Sequence, residues 1–522
     1  MTAIVNGTVI DGTGAPAYAG DVVVDGDRIV DVLQRGSLAV AVQGRMETVD
    51  AAGCLVTPGF IDSHTHSDAY LVIEPDAPSK ITQGVTTEIN GQCGGSVAPR
   101  YGEARLSSDW ASILGSRLTW RSLAEYREVL STAKPAVNTV QFIGHNTLRS
   151  SVVGYAGRAA TPDELARMKR LLAESMDEGG WGLTTGLIYQ PGRYSTPEEV
   201  VELAKVAAGK GGIYATHMRS EGDMILEAID EVLDLVRATG IRAEISHLKT
   251  SGRRNWHKID AVLDKMQGAV DAGLLLGSDR YPYCAAGTDL DVVLPDWAQE
   301  GAAKVECERL ADAATRGRMV SELNVSDRDW STVMIGGTWH EDNKRFSGRF
   351  VSDILSETAV SPGELVCRIL EKDLCRTGGF FFGMSEDNLA KIYARPWIVP
   401  GSDASLRAPW GPLGADHPHP RAYATMPEFY RRVRALGFSR EDAIARMTGV
   451  PAVRFGLKGR GVIEKGAFAD IVIWREDSFI AKSTYVDPHQ FTGGVKLVMV
   501  NGAIPYRDGR FTGDRAGRFL EK

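Results

Sequence analysis

Seven side chains able to bind a metal or move a proton stand at or just past the ends of apolar runs in this sequence. His64 and His66 close "LVTPGFIDSHTH" and Cys93 follows "GVTTEI". His145 ends "TVQFIGH", His217 ends "GIYATH", His247 ends "IRAEISH" and Asp403 ends "WIVPGSD". Residues two apart on an extended strand point to the same side, so the imidazoles of His64 and His66 can face one ion. Neutral imidazole and thiolate are good donors to zinc, and the glycines in "INGQCGGS" allow close backbone approach around Cys93. A carboxylate beside a metal either joins its ligands or takes a proton from an attacking water, and Asp403 suits both roles. Asp279, in "LGSDRYPY", is the second candidate. Asp62 and Asp68 flank the histidine pair and are expected to support it or to face solvent. The chain has ten histidines, and five of them end such runs, a distribution that scattered core histidines would not give.

The elements that must position these groups follow from the apolar pattern. Strand-like and helix-like runs alternate through the middle of the chain, as in a parallel sheet covered by helices. Eight strand candidates centre on "LVTPGFIDSH", "GVTTEI", "TVQFIGH", "GWGLTTG", "GIYATH", "IRAEISH", "GLLLGSD" and "WIVPGSD". Between several of them lie helical runs such as 196–210 and 221–239. Eight units are what a (β/α)8 TIM-like barrel needs, and its strand ends open on the one rim where active sites lie. About a hundred residues separate the seventh and eighth strands, which predicts an inserted subdomain near the barrel mouth at about 286–350. Both termini read as short alternating strands with NG and DG hairpin signals. The expected organisation is therefore a small β-domain from 1–56 and 455–522 around a barrel at 57–454.

Composition narrows the function classes. The chain of 522 residues has 43% hydrophobic and 24% charged residues and a net charge of -8, which disfavours a nucleic-acid partner. Neither a signal peptide nor an apolar run of about 18 residues is found, so no membrane partner is expected. Six scattered cysteines without a CxxC pair fit a reduced, cytoplasmic setting. Five of them read as small buried residues, Cys93 being the exception. Oligomeric state is not legible.

The segments "GFIDSHTHSD", "TTEINGQCGGS", "GLIYQPGRY", "YATHMRSE", "ISHLKTSG", "DRYPY", "GSDAS" and "HPHPR" together resemble the D-aminoacylase and N-acyl-D-amino-acid deacylase branch of the amidohydrolase superfamily, over about residues 1–500. The resemblance implies zinc-dependent hydrolysis of the amide bond of an N-acyl-D-amino acid; hydrolysis of another linear or cyclic amide is one alternative, and a non-catalytic barrel homologue that binds small molecules is the other. It implies one tightly bound zinc on Cys93, His217 and His247, and a weaker second site on His64, His66 and Asp403, with Asp403 as the catalytic base. Strand four carries "GLTTGLIY" with no lysine, unlike branches that bridge two metals with a carboxylated lysine. The resemblance further implies that Arg421 clamps the substrate α-carboxylate, assisted by Tyr189, Tyr283 and Thr288. It places Lys249 at the side-chain pocket, where it would favour acidic side chains, and His145 at the scissile carbonyl. His417 and His419 are expected to shape the Arg421 loop. Two departures bear on the substrate: "CAAGTD" after "DRYPY", and "LRAPWGPLGAD" before "HPHPR", a longer loop that could relocate Arg421 or place Arg407 or Trp410 in the pocket.

Overall fold

The computed structural model describes residues 1–37, 46–106, 111 and 113–522. Both ends of the chain build one nine-stranded sheet. Its order runs Arg510–Phe511, Ala503–Arg507, Val495–Val500, Ile471–Trp474, Leu55–Pro58, Thr2–Val9, Tyr18–Asp25 and Arg28–Gln34, with Glu47–Asp50 also beside Thr2–Val9. The halves meet where Leu55–Pro58 pairs antiparallel with Ile471–Trp474. Ile4, Val9, Val22, Val56, Ile471, Ile473 and Leu497 bury one face. Two C-terminal turns obey the hairpin reading: Asn501-Gly502 and Asp508-Gly509 all have positive φ, as tight two-residue loops require. Asn6-Gly7 does not. It lies inside Thr2–Val9 as a register shift against Tyr18–Asp25, with Asn6 alone in the left-handed region at φ 65°, and a β-carbon at Gly7 would fall 2.4 Å from Val56.

The middle of the chain closes a parallel barrel. Its strands are Phe60–Asp62, Val85–Asn90, Asn138–Gln141 continued by Ile143–Gly144, Gly182–Gly186, Ile213–His217, Arg242–Ile245, Leu276–Arg280 and Ile398–Pro400. The first two strands and Asn138–Gln141 form one sheet, and Ile143–Gly144 with the rest forms another. Phe142 N donating to Asn90 O at 3.0 Å joins them on one side, and Ser63 N donating to Pro400 O at 3.2 Å closes the other. The covering helices carry the caps their sequence promises: Thr161 and Glu164 form a reciprocal capping box before Pro162–Asp177, satisfying amides that the first helical turn leaves open. One helix begins at Ile225 rather than near 221, because Glu221 turns inward to Lys249 and His247.

Between strands seven and eight the chain builds a separate layer. Ala286–Asp289 and Val333–Ile335 both pair antiparallel with Gly378–Phe381, and helices pack Leu310, Met319, Leu323, Leu365, Val366 and Ile369 beneath them. This excursion runs on to Phe381 instead of ending near 350, because its central strand is supplied last. The C-terminal stretch also leaves the β-sheet that the sequence assigns it to: Leu520 N donates to Thr139 O at 2.8 Å on the barrel, and Tyr485 and His489 reach the loop around His417 and His419.

A buried lysine rivets the seam between strands one and eight. Lys80 has no exposed surface. Its Nζ donates to Asp62 Oδ2 at 2.9 Å, Ser402 Oγ at 3.0 Å and Ala404 O at 3.1 Å, and lies 3.2 Å from Glu88 Oε1. Burial alone would lower its pKa, but Asp62 and Glu88 raise it. These contacts hold the chain on both sides of Asp403. Lys80→Met leaves two buried carboxylates unanswered and is expected to cost about 3–5 kcal/mol of stability, measurable by urea denaturation.

Candidate metal centre and active site

Three of the predicted site residues hold backbone conformations that non-glycine residues rarely adopt. Cys93, His247 and Asp403 have φ of 52°, 37° and 50°. Left-handed geometry costs roughly 1–2 kcal/mol per residue, and such strain gathers at functional sites. Here it turns each side chain inward from its strand end. Cys93 Sγ lies 3.3 Å from His64 Nε2 and 3.3 Å from His247 Nε2. Asp403 Oδ1 is 3.3 Å from His64 Nε2 and 3.1 Å from His66 Nε2. The rings of His217 and His247 stand 4.6 Å apart.

Two donor sets result, each with atoms within 4.8 Å of one another: His64, Cys93, His247 and Asp403, and His217, Glu221 and His247. His217 makes the fit to an ion concrete. Both of its ring nitrogens are buried without a hydrogen-bond partner, a costly state for a polar ring that has no ion to bind. A thiolate among imidazoles and carboxylates suits zinc by softness and charge.

Electrostatics prepare the cluster. Burial alone would push the Cys93 thiol up, but His64 and His247 overcome it and hold the thiol well below its ordinary value. Against the same burial effect, Arg421, His247, His64 and His66 hold Asp403 well below the usual carboxylate range. Burial and Lys249 pull His247 down, yet Glu221, Cys93 and Asp403 carry it to about 10. Burial likewise opposes His66, which Asp403 and Cys93 raise to about 9. Both imidazoles therefore hold protons at neutral pH and must lose them to bind metal. A tight zinc on Cys93, His217 and His247 would displace the His247 proton and not that of His66, so zinc affinity of the chelator-stripped protein is expected to rise about 10-fold per pH unit between pH 6 and 8. Calorimetry in buffers of different ionisation enthalpy would count the protons, and a flat affinity would contradict these protonation states.

The supporting contacts include residues the sequence did not single out. Asp279 braces the cluster from behind: its Oδ2 lies 3.2 Å from His64 Nδ1 and its Oδ1 accepts from His247 N at 2.9 Å, fixing two of the clustered histidines. Glu221 lies 2.9 Å from His247 Nδ1 and 3.6 Å from His217 Nε2, and pairs with Lys249. Its spacing from His217 in "THMRSE" was the available signal, but it reads equally as a helix start. Asp68 is buried and accepts from Gln141 Nε2 at 2.7 Å, and Asp62 faces Lys80.

A cleft of about 630 Å³ opens over the cluster, lined by His66, Cys93, His217, His247 and Asp403 and by Tyr189, Lys249, Thr288 and Arg421. Arg421 Nη1 donates to Asp403 Oδ2 at 2.8 Å and Nη2 to Gly287 O at 3.0 Å, while its Nε is buried without a partner. Arg421 N donates to His419 Nδ1 at 3.0 Å, so His419 shapes this loop. The longer loop before it does not displace Arg421. Arg407 lines the cleft, paired with Asp416 at 3.1 Å, whereas Trp410 points outward and donates to Glu74 at 3.0 Å.

Two expectations need correction. Tyr283 does not line the cleft; its ring packs 5.2 Å from that of His419. The other tyrosine of "DRYPY", Tyr281, does line it, 4.6 Å beneath the Arg421 guanidinium and with an unpartnered hydroxyl. Strand seven ends at Arg280, so the two tyrosines lie on the irregular stretch after it and do not share a face. His145 ends its strand but is buried away from the cleft, its Nε2 2.8 Å from Glu199 Oε1, because the next helix starts at this residue and turns the ring outward.

A (β/α)8 barrel with thiolate, imidazole and carboxylate donors gathered at the C-terminal ends of its strands defines a metal-dependent hydrolase. The model of the Amidohydrolase family matches residues 47–338 and 376–506. D-aminoacylase of Alcaligenes xylosoxydans xylosoxydans is 34% identical over 522 residues, covering 99% of this chain and 97% of that protein. A structure of D-aminoacylase, from work on one-metal activation and second-metal attenuation in its binuclear centre, superposes with a TM-score of 0.83 at 32% identity, over 100% of this chain and 99% of that one. The N-acyl-D-glutamate deacylase of Bordetella bronchiseptica, solved with zinc and a phosphonate mimic of the tetrahedral intermediate, does so with a TM-score of 0.83 at 30% identity and the same coverage. The chain belongs to the amidohydrolase family, in its D-aminoacylase and N-acyl-D-amino-acid deacylase branch.

Proposed function

We propose that this chain is a zinc-dependent deacylase of N-acyl-D-amino acids, releasing a carboxylate and a free D-amino acid. The observation that carries the reading is the convergence of Cys93 Sγ on His64 and His247 at 3.3 Å, with Asp403 and Arg421 alongside. Cys93, His217 and His247 would hold the tight zinc; His64, His66 and Asp403 would hold a weaker second ion. One-metal activation and second-metal attenuation in D-aminoacylase support a single working ion. Zinc, when bound, supplies Lewis acidity for the amide carbonyl and for a water.

The chain's own groups do the rest. Asp403 takes the proton of the attacking water and delivers it to the departing amine. Arg421, anchored through Nη1 and Nη2, offers Nε to the α-carboxylate. Tyr281, Tyr189 and Thr288 bring hydroxyls to the same cleft. Lys249 is expected to be a poor receptor for acidic side chains because Glu221 answers its charge. Among the described residues no helix is long and apolar enough to cross a membrane. A reduced, cytoplasmic setting is proposed from the six scattered cysteines without a CxxC pair.

The test is a screen of N-acetyl D- and L-amino acids with zinc measured on the same sample; D-series turnover supports the reading, and turnover of neither series overturns it. The clamp is tested by Arg421→Ala, expected to raise KM for N-acyl-D-amino acids about 10- to 100-fold. An unchanged KM would point to an amide lacking the α-carboxylate.

A further inference from the structure

Four permanent cations line the cleft: Lys249, Arg376, Arg407 and Arg421. Three are answered by carboxylates: Lys249 by Glu221, Arg407 by Asp416 and Arg421 by Asp403. Arg376 differs. Among the ion pairs of the described residues it has none; its Nε donates to the main-chain Asp373 O at 3.3 Å, and its guanidinium lies 4.9 Å from the ring centroid of Trp339. Trp339 also lines the cleft and is fixed by donating Nε1 to Arg376 O at 3.0 Å. A guanidinium held on an aromatic face keeps its planar fork free for a carboxylate.

The wall carrying this pair is built for close approach. A β-carbon at Gly337 would fall 1.8 Å from Asp416 Oδ1, so the inserted layer presses against the loop of Arg407 and Asp416, and a side chain there would displace the Asp416 carboxylate. Trp339 begins the stretch 339–375 that the family model leaves unmatched, and Arg376 directly follows it. Trp339 and Arg376 both stand in the layer inserted between strands seven and eight. Asp289 also lines the cleft, and Ile188 and Val292 present exposed apolar surface there. The cleft of about 630 Å³ falls in the range that encloses a drug-sized ligand and leaves room beyond a minimal N-acetyl amino acid.

We propose that Arg376, supported by Trp339, is a subsite for a second carboxylate of the substrate, distal to the one that Arg421 takes. This inference rests on the deacylase reading. The distal carboxylate can belong to the amino-acid side chain or to the acyl group, and two isosteric pairs separate these sources: N-acetyl-D-glutamate against N-acetyl-D-glutamine, and N-succinyl-D-leucine against N-butanoyl-D-leucine. Zinc-loaded wild type and Arg376→Met are compared on all four, with Arg376→Lys as the conservative variant.

For one pair, the charged member is expected to lose about 10- to 100-fold in kcat/KM in Arg376→Met, through KM, while its neutral partner stays within about twofold; Arg376→Lys recovers part of the loss. The pair that responds names the source. Equal effects on charged and neutral members of both pairs, or no effect on any, would overturn the subsite while leaving deacylation of the neutral compounds intact. Absence of turnover by wild type on all four would overturn the deacylase reading and the subsite with it.

Discussion

Cys93→Ser is expected to strip the protein of tightly held zinc and lower kcat/KM at least about 1,000-fold, because the thiolate is the one soft anionic donor in the proposed tight site. Serine keeps nearly the same shape, so the left-handed turn at residue 93 and the packing around it survive. It removes a sulfur whose ionisation His64 and His247 promote against the cost of burial, and a serine hydroxyl stays protonated where the thiol does not. Loss of outer hydrogen-bond partners alone costs metal sites about 10- to 100-fold in affinity, and loss of a bonded thiolate must cost more. Zinc per chain after gel filtration should fall from about one to below about one-tenth. A serine variant that kept its zinc and activity would show that the ion is held elsewhere.

Asp403→Asn separates chemistry from binding. The amide is isosteric with the carboxylate, and in the proposed scheme Cys93, His217 and His247 still hold zinc, so metal content should stay near that of wild type. The group that accepts the water's proton is gone, and kcat should fall by about 10²- to 10⁴-fold. KM should not rise, because Arg421 loses its carboxylate partner at 2.8 Å and becomes freer for substrate. A metal-replete variant with wild-type turnover would remove Asp403 as the base.

The ligand-type residues were legible because a barrel rim converts strand-end positions into neighbours. His64, His66, Cys93, His217, His247 and Asp403 each close an apolar run, and eight such runs fix the rim. What escaped was set by side-chain direction or by long-range partners. Tyr281 and Tyr283 sit two apart in one motif, and only the turn after strand seven decides which faces the cleft. His145 satisfies the strand-end pattern, yet Glu199, 54 residues away, captures its ring. Nothing local marks Lys80 or Glu221, since their partners stand on or beyond other strands. The extent of the inserted layer was underestimated because its central strand, Gly378–Phe381, follows helices that look like part of the barrel's own alternation.

The most direct measurement is anomalous diffraction at the zinc edge from crystals of the metal-loaded protein. The strongest peak should lie about 2.3 Å from Cys93 Sγ and about 2.0–2.1 Å from nitrogens of His217 and His247, with any second, weaker peak beside His64, His66 and Asp403. A single strong peak bound only by His64, His66 and Asp403, with the Cys93 sulfur out of bonding range, would contradict the thiolate-centred site on which the proposed chemistry depends.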